Sequence, residues 1–180
     1  MHALDWLGDL IHVVSLVIPR LVLVRRTHAG VLYCRDKVKA VGPGVTWYWP
    51  VWSEIQLICT VRQTLNLSYQ CLFCRDGSPI VVAAIVVYRI ENAVDALTTT
   101  DQIPDTIHDV AMAAIRRVVT SCTFQEIHEN KTEKGKSIDS MLRHRLQADL
   151  STYGVSVERS FLCDISKPVI VRLLSDVASN

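Results

Sequence analysis

RDGSPIVVAAIVVYRIENAVDAL, residues 75–97, contains the change of period that decides the fold. From Ile80 to Ile90 both alternating sets are apolar: Val82, Ala84, Val86 and Tyr88 on one face, Val81, Ala83, Ile85 and Val87 on the other. Such a run reads as a central strand covered on both sides. Beyond Glu91 the spacing lengthens, and Val94 and Leu97 suit a short helix. Strands before this point and helices after it give an α+β protein.

Upstream, LVLVRR (21–26), VLYCRD (31–36), VTWYWP (45–50) and SEIQLICTVRQTLNLSYQ (53–70) are rich in β-branched and aromatic residues between Gly, Pro, Asp and Asn punctuation. Gly30 is expected to turn the first strand into the second, and Gly42-Pro43-Gly44 to fix a tight loop. No helix or Lys-Ser/Thr pair follows these glycines, so a phosphate cradle is not expected there. Trp47, Tyr48, Trp49 and Trp52 cluster around Pro50. Rings of this kind suit a membrane interface, and equally the open end of a small β-lobe.

Downstream, Ile107, Val110, Ala111, Ala114, Ile115, Val118 and Val119 mark a longer helix. Thr123-Phe-Gln-Glu126 has the form of a capping box that opens a short third one. Ile138, Met141, Leu142, Leu146, Leu150 and Tyr153 define a fourth, ended by Gly154 as a left-handed cap. VSVERSFLCDI (155–165) returns as a strand that Pro168 stops.

The N-terminal HALDWLGDLIHVVSLVI (2–18) is amphipathic at about 100° per residue. Trp6, Leu7, Leu10, Ile11, Val13, Val14, Val17 and Ile18 share one side; His2, Asp5, Gly8, Asp9, His12 and Ser15 share the other. A spanning helix needs about 20 mostly apolar residues, and Pro19 and Arg20 arrive too soon, so a helix lying in the interface fits better. Arg20, Arg25 and Arg26 follow as a basic collar for anionic headgroups. The same split would also serve a groove on a partner protein. A cleaved signal peptide is not expected, since no basic leading region precedes the apolar stretch.

Lys+Arg 19 against Asp+Glu 18 leaves a formal charge of +1, with no global field to recruit nucleic acid. At 49% hydrophobic the 180 residues can bury a core without disulfides or metals. Cys34, Cys59, Cys71, Cys74, Cys122 and Cys163 are scattered through strand-like segments and read as reduced thiols. Cys71 and Cys74 form a CxxC without a second ligand pair or a following helix, so neither zinc nor redox chemistry is expected of them. His28, His108, His128 and His144 share no metal-ligand spacing, and no strained, glycine-flanked serine appears. No catalytic, cofactor or metal-binding residue can be named.

In order, the chain offers RTHAGVLYCRDKVKAVGPGVTWYWP, RDGSPIVVAAIVVYRIENAVDAL, AAIRRVVTSCTFQEI and LRHRLQADLSTYGVSVERSFLCDISKP. From about Leu21 to Pro168 it resembles the SPFH/band 7 domain of stomatins, prohibitins and flotillins. The resemblance is most specific at Gly42, Pro43, Gly44 and Pro50, at Asp76-Gly77 leading into Tyr88-Arg89, and at Tyr153-Gly154. It implies a two-lobed α+β domain that sits on membrane lipid, packs with copies of itself into a ring or arc, and organises a membrane patch or regulates a membrane-bound protease or channel. It carries no active-site residue.

The expected organisation is an N-terminal interface helix (1–20), a β-rich lobe (21–91), an α/β lobe (92–168) and a short tail or helix (169–180). The family usually continues into a long coiled coil. Only VIVRLLSDVASN follows Pro168 here, which implies a minimal or truncated member whose self-association rests on the domain's own faces. Two functions compete: a membrane scaffold, and a soluble structural subunit whose N-terminal helix is buried in a partner protein.

Overall fold

The computed structural model describes residues 18–35, 37–130, 132 and 135–168. The expected interface helix before Ile18 and the tail after Pro168 lie outside the described residues.

The first part is all β. β1 (Arg20–Val24) pairs antiparallel with β4 (Gly44–Tyr48) as a two-stranded ribbon. β2 (His28–Cys34) lies between β3 (Lys37–Val41) and β5 (Ser53–Cys59) in a three-stranded antiparallel sheet. The Gly42-Pro43-Gly44 loop therefore carries the chain from one sheet to the other, and Gly44, at φ +136°, takes a conformation that only glycine adopts readily.

The first turn is not made by Gly30. The chain reverses at Arg25–Thr27, where His28 N donates to Arg25 O at 3.0 Å, and Gly30 lies inside β2 opposite Val41 and Leu57. Its role is close approach: a Cβ there would sit 2.7 Å from Leu57 Cδ2 and 3.1 Å from the Gln56 carbonyl oxygen. Leu57 is partly exposed and can swing aside, but the backbone oxygen cannot. Gly30→Val is expected to lower stability by about 1–3 kcal/mol, the usual range for an overpacked site, read as a drop in urea midpoint at unchanged slope.

The second part surrounds the stretch that decided the fold. β6 (Gln63–Phe73), β7 (Pro79–Ile90) and β8 (Val155–Ser166) form one antiparallel sheet in that order, with β7 at its centre. The sheet runs across the boundary expected at Glu91, since β7 pairs with β6 before it and with β8 beyond the helices. The reason is in β7 itself, whose apolar length needs a strand on each edge as well as helices on one face. Ile80, Val82, Ala84, Val86, Tyr88 and Ile90 are buried beneath α2 (Ile103–Ser121) and α4 (Ile138–Leu150). On the other face Val81, Ile85 and Val87 are only half-buried, so the expected cover is complete on one side alone.

α2 buries Ile107, Ala111, Ala114, Ile115 and Val118, and α4 buries Leu142, Leu146 and Leu150. Each such Leu or Ile contributes about 1.5–3 kcal/mol by leaving water. The short α1 (Ala93–Thr99) packs on the first part, where Tyr33 Oη donates to Leu97 O at 3.0 Å. α3 (Phe124–His128) opens with the expected capping box, Thr123 N donating to Glu126 Oε2 and Glu126 N to Thr123 Oγ1.

The outer edge of β8 is closed by side chains of α4. Val157 N donates to Gln147 Oε1 at 2.7 Å, and Leu162 N donates to Asp139 Oδ1 at 3.1 Å. Gln147 Nε2 and Arg143 Nε donate in turn to the carbonyls of Val155 and Val157. The Gln147 amide thus takes the place that a neighbouring strand's peptide would take.

Candidate functional site

The β1–β4 ribbon has two apolar faces and only one is covered. Alternation puts Val22 and Val24 of β1 with Thr46 and Tyr48 of β4 on one side, where Val24 is buried and the others half-buried. On the other side the register sets Leu21 opposite Trp47 and Leu23 opposite Val45. All four are exposed, Leu23 by 67% and Trp47 by 63%.

This face continues into the turn between β4 and β5. Trp49, Val51 and Trp52 are each about half exposed there, as is Ile18 where the chain enters β1. The turn is rigid: Trp52 N and Ser53 N both donate to Trp49 O, and Ser53 Oγ donates to the same carbonyl at 2.8 Å. Pro50 presets the backbone between them. Fixed, outward-facing tryptophans next to an apolar ribbon form a surface that water does not favour. An apolar ring with a polar tip suits the boundary between water and hydrocarbon.

The basic residues distribute unevenly around it. Arg20 begins β1 and lies opposite Tyr48, whereas Arg25 and Arg26 follow the far end of the same strand. The three are thus placed at the two ends of β1. Of the side chains named from the amphipathic segment, only Ile18 is described, and it is exposed. Trp6, Leu7, Leu10, Ile11, Val13, Val14 and Val17 lie outside the described residues.

The remaining motif residues hold the fold together. Asp76 and Gly77 form the β6–β7 turn, with Gly77 at φ +74°. Asp76 accepts from Ser78 N at 3.1 Å and, through its other oxygen, from Phe124 N at 3.3 Å, so the turn is latched to the start of α3. The Ser78 amide, aided by that of Phe124, holds this carboxyl below the usual range. Tyr88 is buried and donates to Gln63 Oε1, while Arg89 is exposed and pairs with Glu91 and Glu158. Half-buried Tyr153 packs on the core, and Gly154, at φ +65°, accepts from both Glu91 N and Asn92 N where α1 begins.

Cys71 is exposed near the end of β6, and Cys74 is buried just beyond it. Burial pushes the Cys74 thiol up, and a thiol kept protonated is a poor nucleophile. Among the described residues no three His, Cys, Asp or Glu side chains converge as metal ligands.

The sequence model of the SPFH domain / Band 7 family matches residues 22–176. The chain belongs to the SPFH/Band 7 family. Stomatin-like protein 3 of Mus musculus is 26% identical over 131 residues, covering 73% of this chain and 44% of its own length. Flotillin-1 of Drosophila melanogaster is 25% identical over 134 residues, covering 69% and 30% respectively. An uncharacterized protein of Archaeoglobus fulgidus is 22% identical over 168 residues, covering 93% of this chain and 66% of its own. The chain thus spans about two thirds of that archaeal protein and less than half of the stomatin-like and flotillin proteins.

The outer face of the ribbon had a signal in the sequence. RLVLV (20–24) is apolar on both alternating sets after Arg20, which in a two-stranded ribbon leaves one apolar face uncovered unless something else packs on it. Only the register with VTW, residues 45–47, shows that the strand's uncovered leucines meet a valine and a tryptophan.

Proposed function

We propose that this SPFH/Band 7 chain is a membrane-surface scaffold rather than an enzyme. It docks through the outer face of the β1–β4 ribbon, the tryptophan turn and the amphipathic segment before them, and it assembles with copies of itself. The observation that carries this reading is the exposed apolar surface running from Ile18 through Leu21, Leu23, Val45 and Trp47 to Trp52. Family membership supports a membrane-associated, scaffold-type role in general terms. Among the described residues no helix is long and apolar enough to cross a membrane. The contact invoked is peripheral or monotopic, through exposed apolar side chains and an amphipathic segment that lies in the interface. The half-buried second face of the β6–β7–β8 sheet supports side-by-side packing. A membrane patch, or a membrane-bound protease or channel, is what such an assembly would organise.

Vesicle flotation of the purified chain tests the docking. The intact protein should float, and removing residues 1–19 should weaken flotation while the ribbon retains part of it. Failure of the intact chain to float would refute docking and favour the soluble subunit whose N-terminal segment inserts into a partner protein. Mass photometry in mild detergent tests assembly separately, and a strictly monomeric particle at all concentrations would refute it.

A further inference from the structure

We propose that the groove between the β2–β3 turn and the tryptophan turn is a headgroup subsite for the phosphate of an anionic phospholipid. This rests on the docking proposed above and adds a chemical preference to it.

The groove has a volume of about 510 Å³ and is lined by Cys34, Arg35, Trp49, Trp52 and Ser53. β2 and β5 bring its two sides together by pairing Cys34 with Ser53. Arg35 follows directly, in the left-handed region at φ +48°, and its guanidinium carbon lies 4.5 Å from the centroid of the Trp52 ring. A guanidinium held against a ring through its charge still has N–H donors to offer a ligand. Among the described residues no carboxylate pairs with Arg35. The nearest described acid in sequence, Glu54, follows Ser53 on the same strand and so points to the opposite face of β5.

A planar fork of donors held in place by a ring is suited to a phosphate, which it grips through two parallel hydrogen bonds. The position selects the lipid as the source. Trp49 and Trp52 continue the apolar surface that would enter the bilayer, and interfacial tryptophans sit at headgroup depth. Arg35 lies over the ring of Trp52 and is thereby held at that depth. A cation near an anionic leaflet gains enough to change binding about fivefold.

The test is sedimentation of the full chain with vesicles of phosphatidylcholine alone, whose choline cation offsets the phosphate, and of phosphatidylcholine with phosphatidylglycerol, whose phosphate is the only headgroup charge. The chain should prefer the anionic vesicles. Arg35→Asn, which tolerates the left-handed backbone, should lose about fivefold of affinity for them and leave binding to phosphatidylcholine unchanged. Trp52→Leu keeps an apolar side chain but removes the stack, and should also lower the preference. Arg35→Lys keeps the charge without the fork and should fall between. Equal binding of the wild type to both vesicle types would overturn the subsite and leave the docking standing. Full preference in Arg35→Asn would overturn it too. Binding to neither vesicle type would overturn the docking, and the subsite with it.

Discussion

Leu23→Glu combined with Trp47→Glu is expected to lower vesicle binding at least about a hundredfold while the protein stays folded. Both side chains point away from the sheet beneath and are about two-thirds exposed, so nothing in the described structure depends on them for packing. In docking, each would bury an apolar surface worth about 1.5 kcal/mol or more, and two such losses amount to about 3 kcal/mol, or two decades in affinity. The introduced carboxylates add a penalty for entering the interface. Co-sedimentation with vesicles reads the loss, and an unchanged thermal midpoint shows that it is not unfolding. Binding that survived the double substitution would remove the ribbon from the contact surface.

Gly154→Ala should be the most damaging of the small substitutions. At φ +65° any side chain strains the backbone by about 1–2 kcal/mol. More serious, the new Cβ would stand 2.4 Å from the Asn92 carbonyl oxygen and 3.1 Å from Asn92 Cβ, and backbone cannot rotate away as a side chain would. Asn92 caps α1, and the Gly154 carbonyl holds both Glu91 N and Asn92 N, so relief must part the start of β8 from the start of α1. A loss of about 3–5 kcal/mol follows, a large share of a typical domain's 5–15 kcal/mol. Thermal unfolding should show a midpoint lower by roughly 10 °C or more. Gly77→Ala is the control: its φ is +74°, but a Cβ there meets nothing within 4 Å, so only the backbone strain remains. If the two substitutions cost the same, the contact with Asn92 is not what requires glycine.

Elements whose cause is local were legible in the sequence. The capping box at Thr123 and Glu126, the left-handed Gly154 and the buried stripe from Ile107 to Val119 all depend on neighbours within one or two turns. Gly30 was misread because a glycine between two apolar runs can serve a turn or a close approach, and only the position of Leu57 on another strand distinguishes them. The third strand of the sheet was hidden for a similar reason: a long apolar strand reveals that it needs partners, but not that one of them comes 65 residues or more later in the chain. The ribbon surface depended on register. Leu21 and Trp47 are 26 residues apart and become neighbours only through the pairing of β1 with β4. Arg35 carried no mark at all, since its significance is the ring of Trp52 beneath it.

The Gln147 amide on the edge of β8 bears on how such a protein tolerates crowding. Proteins gathered on a membrane reach local concentrations at which bare strand edges would zip into one another and fuse irreversibly. With Gln147, Arg143 and Asp139 already occupying backbone groups of Val155, Val157 and Leu162, two molecules meeting on that stretch of β8 can touch without sharing a sheet. Neighbours on that side can therefore come apart again.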